Sequence, residues 1–281
     1  MDIKLTFFSH LPTRLNGHLP LFSQGLKIAK GMPILGRWQH IHRQEAGNFM
    51  KISAISPHCS ASVEQVLEAV SLAPGQLIVL PGVAGNTPPP EAVQERLKPG
   101  AWAYVESWAG SRSAGKPKGP SKRATPDKRG TGEGWDAPRA LLVSAAEQIE
   151  LPAQWFTSRP LQGDLQALQD SLAARTHVIG GREVTFLLCG EINGIDLNGC
   201  LRYGQPLQCP VLINPAHTTM GRWHLLNQKF AALSRQGVVV HVANNDRASL
   251  AATTGLRIYH HGKRIELDSC HELIRSCTYE V

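Results

Sequence analysis

Three nearly uninterrupted apolar runs constrain this 281-residue chain most: Leu77-Ile78-Val79-Leu80, Val184-Thr185-Phe186-Leu187-Leu188-Cys189 and Val238-Val239-Val240-His241-Val242. A strand with one wet face alternates apolar and polar residues. A short run without that alternation reads as a strand covered on both faces. Helical patterns lie between such runs. Ser62-Val63-Glu64-Gln65 offers an N-cap with Gln three residues on, ahead of Val66, Leu67 and Val70. Pro90 suits the first turn of a second helix carrying Val93 and Leu97. Asp164 caps a third with Leu165, Leu168 and Leu172, and Trp223, Leu226, Phe230 and Leu233 mark a fourth, closed by Gly237. Further strands are read at Lys51–Ile55, Ala101–Val105, Ala140–Val143 and Pro210–Asn214, with an extended piece from Ile149 to Phe156 that pairs with Ala140–Val143 as a hairpin. Alternating strands and helices, with strands buried on both faces, predict an α/β layered fold in one domain.

Two segments stand outside this pattern. Residues 1–49 hold Pro12, Pro20 and Pro33 and sustain no period, so the packed domain is expected over 50–281 behind a poorly structured leader, or a start assigned too far upstream. Residues 110–133 are rich in Gly, Pro, Ser, Lys and Arg without a large apolar residue and read as a flexible basic loop. The net charge of +7 resides in these two segments, which carry +4 and +5, so the domain itself is slightly acidic. The basic loop has no aromatic residue on which a base could stack, which argues against nucleic acid and leaves an acidic partner as the sharper alternative. No apolar stretch reaches the roughly eighteen residues of a membrane span. A cytoplasmic protein without membrane contact is the expectation.

The six cysteines include no C-x-x-C pair and read mostly as small buried residues. His260-His261 and Cys270-His271 have no spacing specific to a metal, and no G-x-G-x-x-G or P-loop occurs, so neither metal nor cofactor is expected. Cys189 is the residue with chemical promise. It ends an apolar strand and is followed by Gly190, Glu191, Asn193 and Gly194, so its thiol either packs as a small hydrophobe or projects from a rigid strand end into a loop, as a nucleophile must.

From Met50 onward the order Met50–Ile55, Leu77–Pro81, Val184–Glu191 with its Cys-x-Glu ending, and Leu212-Ile213-Asn214-Pro215-Ala216-His217 followed by the Trp223 helix and Val238–Asn244 resembles the nitrilase, or carbon–nitrogen hydrolase, family. The resemblance implies a four-layer α-β-β-α sandwich, a homodimer or larger homo-oligomer, and hydrolysis of a non-peptide C–N bond in a small amide or related substrate. The family works with a Glu, Lys and Cys triad through a thioester or thioimidate. Cys189 matches the nucleophile. The glutamate position, after Pro81, holds Gly82, and the lysine position is placed at Gln154. Glycine moves no proton and glutamine brings no charge. Glu106, at the end of the third strand, and Glu191 are therefore the candidate substitutes for the base, each with a plain reading as a surface or loop-ordering carboxylate. Gly82, Asn214 and His217 are expected to shape the substrate pocket. His217 can alternatively form a dyad with Cys189 or cap the Trp223 helix. The two functional expectations are a hydrolase with a degenerate triad and an inactive pseudoenzyme that keeps the sandwich for binding.

Overall fold

The computed structural model describes residues 39–41, 49–81, 87–107, 138–157, 159–202, 204, 206–217, 222–244, 255–267 and 273–281. Gly82, residues 110–133, Cys270, His271 and nearly all of the expected leader lie outside them. The described residues belong to one unit, Ile34–Val281.

The first half of the domain runs β2 (Lys51–Pro57), α1 (Val63–Leu72), β3 (Leu77–Val79), α2 (Pro90–Arg96) and β4 (Trp102–Ser107), with the three strands parallel. The capping box of α1 is formed as its sequence predicts: the Ser62 hydroxyl accepts the Gln65 N–H at 3.2 Å while the Gln65 side chain accepts the Ser62 N–H at 2.8 Å. A hairpin of β5 (Arg139–Ser144) and β6 (Gln148–Glu150) extends this sheet. Residues 152–156, expected to continue as strand, leave the sheet instead, after a last bond from the Leu151 N–H to the Ala140 carbonyl at 2.9 Å. On the other side β13 (Ile274–Glu280) pairs antiparallel with β2, and β1 (Gln39–Ile41), from within the expected leader, pairs parallel with β13.

The second half begins with α3 (Gln162–Ser171), where Asp164 sits in the first turn and accepts the Leu161 N–H at 2.8 Å, three residues inside the N-cap position expected for it. It continues as β7 (Thr176–Ile179), β8 (Arg182–Phe186), β9 (Val211–Ala216), α4 (Trp223–Leu233), β10 (Val238–Ala243), β11 (Leu256–His260) and β12 (Lys263–Ile265). The sheet order is β12-β11-β10-β9-β8-β7, with β8, β9 and β10 parallel. Gly237 does not end α4. It is needed because a Cβ there would lie 2.2 Å from the Pro210 carbonyl oxygen, where the chain enters β10.

Strand parity builds the layers. Ile52 and Ala54 of β2, Tyr104 of β4, Val184 and Phe186 of β8, Val211 and Ile213 of β9 and Val238, Val240 and Val242 of β10 form one core between the two sheets. The opposite faces pack outward: Ile55, Ile78 and Val105 against α1 and α2, and Leu187, Leu212 and Val239 against α3 and α4. The result is the four-layer α-β-β-α sandwich, with strands apolar throughout because both faces are covered. Each Val, Leu or Ile so buried contributes roughly 1.5–3 kcal/mol. The Tyr104 and Phe186 rings stack across the sheets with centroids 5.4 Å apart, tying β4 to β8.

Candidate active site

The carboxyl ends of β4, β8 and β9 converge, and this is where ligands of α/β sheets gather. Tyr104 faces the inter-sheet core, so Glu106, two residues on, projects on the same side. Leu187 faces outward and Leu188 inward, and the chain then turns sharply into a 3-10 turn over Cys189–Gly194. At Cys189 φ is +35°, a left-handed conformation that costs a non-glycine residue about 1–3 kcal/mol and persists only where the surroundings enforce it. Gly190 is required at the next position, because a Cβ there would lie 2.4 Å from the Thr157 carbonyl oxygen.

His217 follows β9 directly. Its Nε2 lies 2.6 Å from Oε2 of Glu106, an ion pair whose N–H is not aimed in line at that oxygen. The Cys189 thiol is a second partner of the same imidazole. Burial alone would push His217 down, but the Glu106 carboxylate and the Cys189 sulfur together raise it well above the usual histidine value, which favours the imidazolium. Glu106 is buried, and its other oxygen takes a hydrogen bond from the Tyr104 hydroxyl. Burial and the adjacent carboxylate push the Tyr104 phenol well up, which keeps it a donor. Three of the residues expected from sequence, Cys189, Glu106 and His217, are thus brought together.

The other candidates are placed differently. Glu191 is fully buried and points away into a structural cage. Its carboxylate accepts from Arg175 (2.5 and 3.2 Å), from the Leu188 N–H (2.9 Å) and from the Trp155 N–H (2.7 Å). Burial pushes its carboxyl up, against the lowering effect of Arg175 and the two amides. Arg175, itself fully buried, also donates to the Ala153 carbonyl at 2.5 Å. Gln154 is buried, with its amide nitrogen donating to the Phe156 carbonyl at 2.8 Å. Asn214, expected to line a pocket, is fully buried on the outward face of β9, its Nδ2 donating to the Leu187 and Cys189 carbonyls at 2.6 and 3.2 Å. Asn244 donates to the His217 carbonyl at 3.4 Å.

Tyr104, Arg175, His241 and Asn244 were not singled out from sequence. The Tyr-x-Glu spacing at Tyr104 and Glu106 on a strand was a usable signal, since i and i+2 share a face. Arg175 gives none: one arginine after a helix looks like any surface cation. Among the described residues no cluster of three or more His, Cys, Asp or Glu side chains is arranged to hold a metal, and no helix is long and apolar enough to cross a membrane.

Neither any family model nor any curated protein matches the chain. Solved structures do. A CN-hydrolase superfamily protein from Xanthomonas campestris, determined with an arsenic adduct in its active site, is similar over 82% of this chain and 90% of its own, at 10% identity and a TM-score of 0.45. The amidase from Nesterenkonia sp. AN1, as a double mutant in complex with acrylamide, is similar over 85% and 93%, at 12% identity and a TM-score of 0.45. A mutant of the same amidase, described as from the nitrilase superfamily, is similar over 89% and 93%, at 13% identity and a TM-score of 0.43. The fold described for the present chain rests on its own strand order and layering.

Proposed function

We propose that this chain is a nitrilase-like cysteine hydrolase that cleaves the C–N bond of a small amide, with a Cys189-His217-Glu106 triad in place of the family's Glu, Lys and Cys. The observation that carries the reading is the His217 imidazole, which meets the Glu106 carboxylate at 2.6 Å and the Cys189 thiol at once. The imidazolium stabilises the thiolate, and Glu106, held by Tyr104, keeps the ring oriented and charged. Cys189 Sγ attacks the amide carbon. The N–H groups of Cys189 and Gly190, the first two of the 3-10 turn, have no acceptor within it and can face the developing oxyanion. His217 gives its proton to the departing nitrogen, the C–N bond breaks, and an acyl thioester remains with ammonia or amine released. Neutral His217 then takes a proton from water, the hydroxide attacks the thioester, and the C–S bond breaks to return the thiolate, the imidazolium and a carboxylic acid.

Glu191, Gln154 and Asn214 serve in this proposal as supports of the turn. The test is release of ammonia or amine from a panel of small amides, with the acyl-enzyme trapped and located by mass spectrometry. Turnover that is lost in both Cys189→Ala and His217→Ala, with the acyl group on Cys189, supports the triad. No turnover and no adduct on Cys189 would leave the sandwich a binding scaffold without catalysis.

A further inference from the structure

Resting on Cys189 as the nucleophile, we infer that His241 is a positioning residue for the catalytic turn, acting through Asn214 to hold the left-handed backbone at Cys189. His241 and Asn214 are directly paired neighbours on the parallel strands β10 and β9. Both are fully buried, on the face that α4 covers. The Asn214 amide nitrogen is committed to the carbonyls of Leu187 and Cys189, on either side of the bend. Its Oδ1 therefore accepts, and His241 Nδ1, 2.8 Å away, must carry the proton.

That tautomer is secured by the surroundings. The His241 ring sits among Phe230, with centroids 5.1 Å apart, and Trp223, at 5.6 Å, and its buried Nε2 has no hydrogen-bond partner among the described residues. Burial, with the nearby Arg257 cation, lowers its pKa to about 3, so it is neutral with one ring proton. A valine or phenylalanine would suit this apolar layer better, as Val239 on the same face shows. The histidine is accounted for by its one bond to Asn214. Without it the amide could turn over and set Oδ1 against two carbonyl oxygens, and the +35° backbone at Cys189 would lose the donor that pins its carbonyl. A nucleophile moved by an ångström loses about two orders of magnitude in rate.

The test compares alkylation of Cys189 by iodoacetamide with that of exposed Cys59 in the same molecule, by peptide mass spectrometry, and needs no substrate. His241→Phe keeps the ring and removes the donor; His241→Asn places an amide donor where Nδ1 was. The expected result is a Cys189-to-Cys59 rate ratio that falls about tenfold or more in His241→Phe and returns to within about twofold of wild type in His241→Asn. The same pattern should be seen in kcat with KM unchanged. Should His241→Phe fail to unfold cooperatively, Asn214→Ala is read the same way. A ratio unchanged in the folded variant, or not restored by His241→Asn, overturns the inference and leaves the functional reading intact. Wild-type Cys189 that alkylates no faster than Cys59 removes the functional reading, and this inference with it.

Discussion

Replacing Glu191 by glutamine separates a support from a base. The carboxylate holds a bidentate pair with Arg175 and two backbone amides, and both side chains have no solvent exposure. Glu191→Gln keeps the shape but removes the charge, leaving the Arg175 guanidinium buried and uncompensated. Breaking a buried pair in this way costs about 3–5 kcal/mol. Glutamine also has one acceptor oxygen where Leu188 and Trp155 need two, and an unmet amide adds about 1–3 kcal/mol, so about 4–8 kcal/mol in total is expected. That is a large share of the roughly 5–15 kcal/mol that holds a domain folded. At about 2–4 °C per kcal/mol for a domain of this size, the thermal midpoint should fall by at least about 8 °C. Calorimetry and urea unfolding of Glu191→Gln, Arg175→Met and the double variant Arg175→Met/Glu191→Leu measure it. The double variant should lose less than either single change, because no charge is stranded. A Glu191→Gln protein within about 1 kcal/mol of wild type that has nonetheless lost amide turnover would refute this reasoning and make Glu191 the base.

Other substitutions follow from the same geometry. In Glu106→Gln the imidazole loses its counter-charge, so the alkaline limb of kcat/KM, where His217 gives up its proton, should move to lower pH; a limb that stays in place would mean another group titrates there. Because the folded pKa of His241 lies far below its unfolded value near 6.5, the unfolded chain binds a proton the folded one refuses as pH drops from 6.5 towards 3. Wild type should lose about 1.4 kcal/mol per pH unit in that window relative to His241→Phe, and no such difference should exist above it; urea midpoints of the two proteins at pH 7 and 5 decide the matter. Gly190→Ala drives a methyl group into the Thr157 carbonyl and should cost about 1–3 kcal/mol with a larger loss of turnover, both read from the purified variant.

Much of the architecture could be read along the chain because it depends on local pattern. Continuous apolar runs such as Leu77–Leu80 and Val238–Val242 can be stable only as doubly covered strands, and the Ser62–Gln65 box needs nothing beyond its own four residues. Cys189, followed by glycine at a strand end, was visible for the same reason. The partners were not. Strand spacing put Glu106 and His217 at ends of different strands, but which ends meet depends on how the two sheets face each other, a choice carried by the Tyr104–Phe186 stack and the inter-sheet core. Glu191 and Asn214 carry the polar groups of catalytic residues, yet their neighbours, Arg175 and His241, lie 16 and 27 residues away and consume those groups beneath the turn. A sequence states which side chains exist and which face of an element they take. Only the packed layers decide whether a buried carboxylate meets an imidazole and a phenol, as Glu106 does, or a guanidinium and two amides, as Glu191 does, because burial makes every unpaired charge too costly to leave alone.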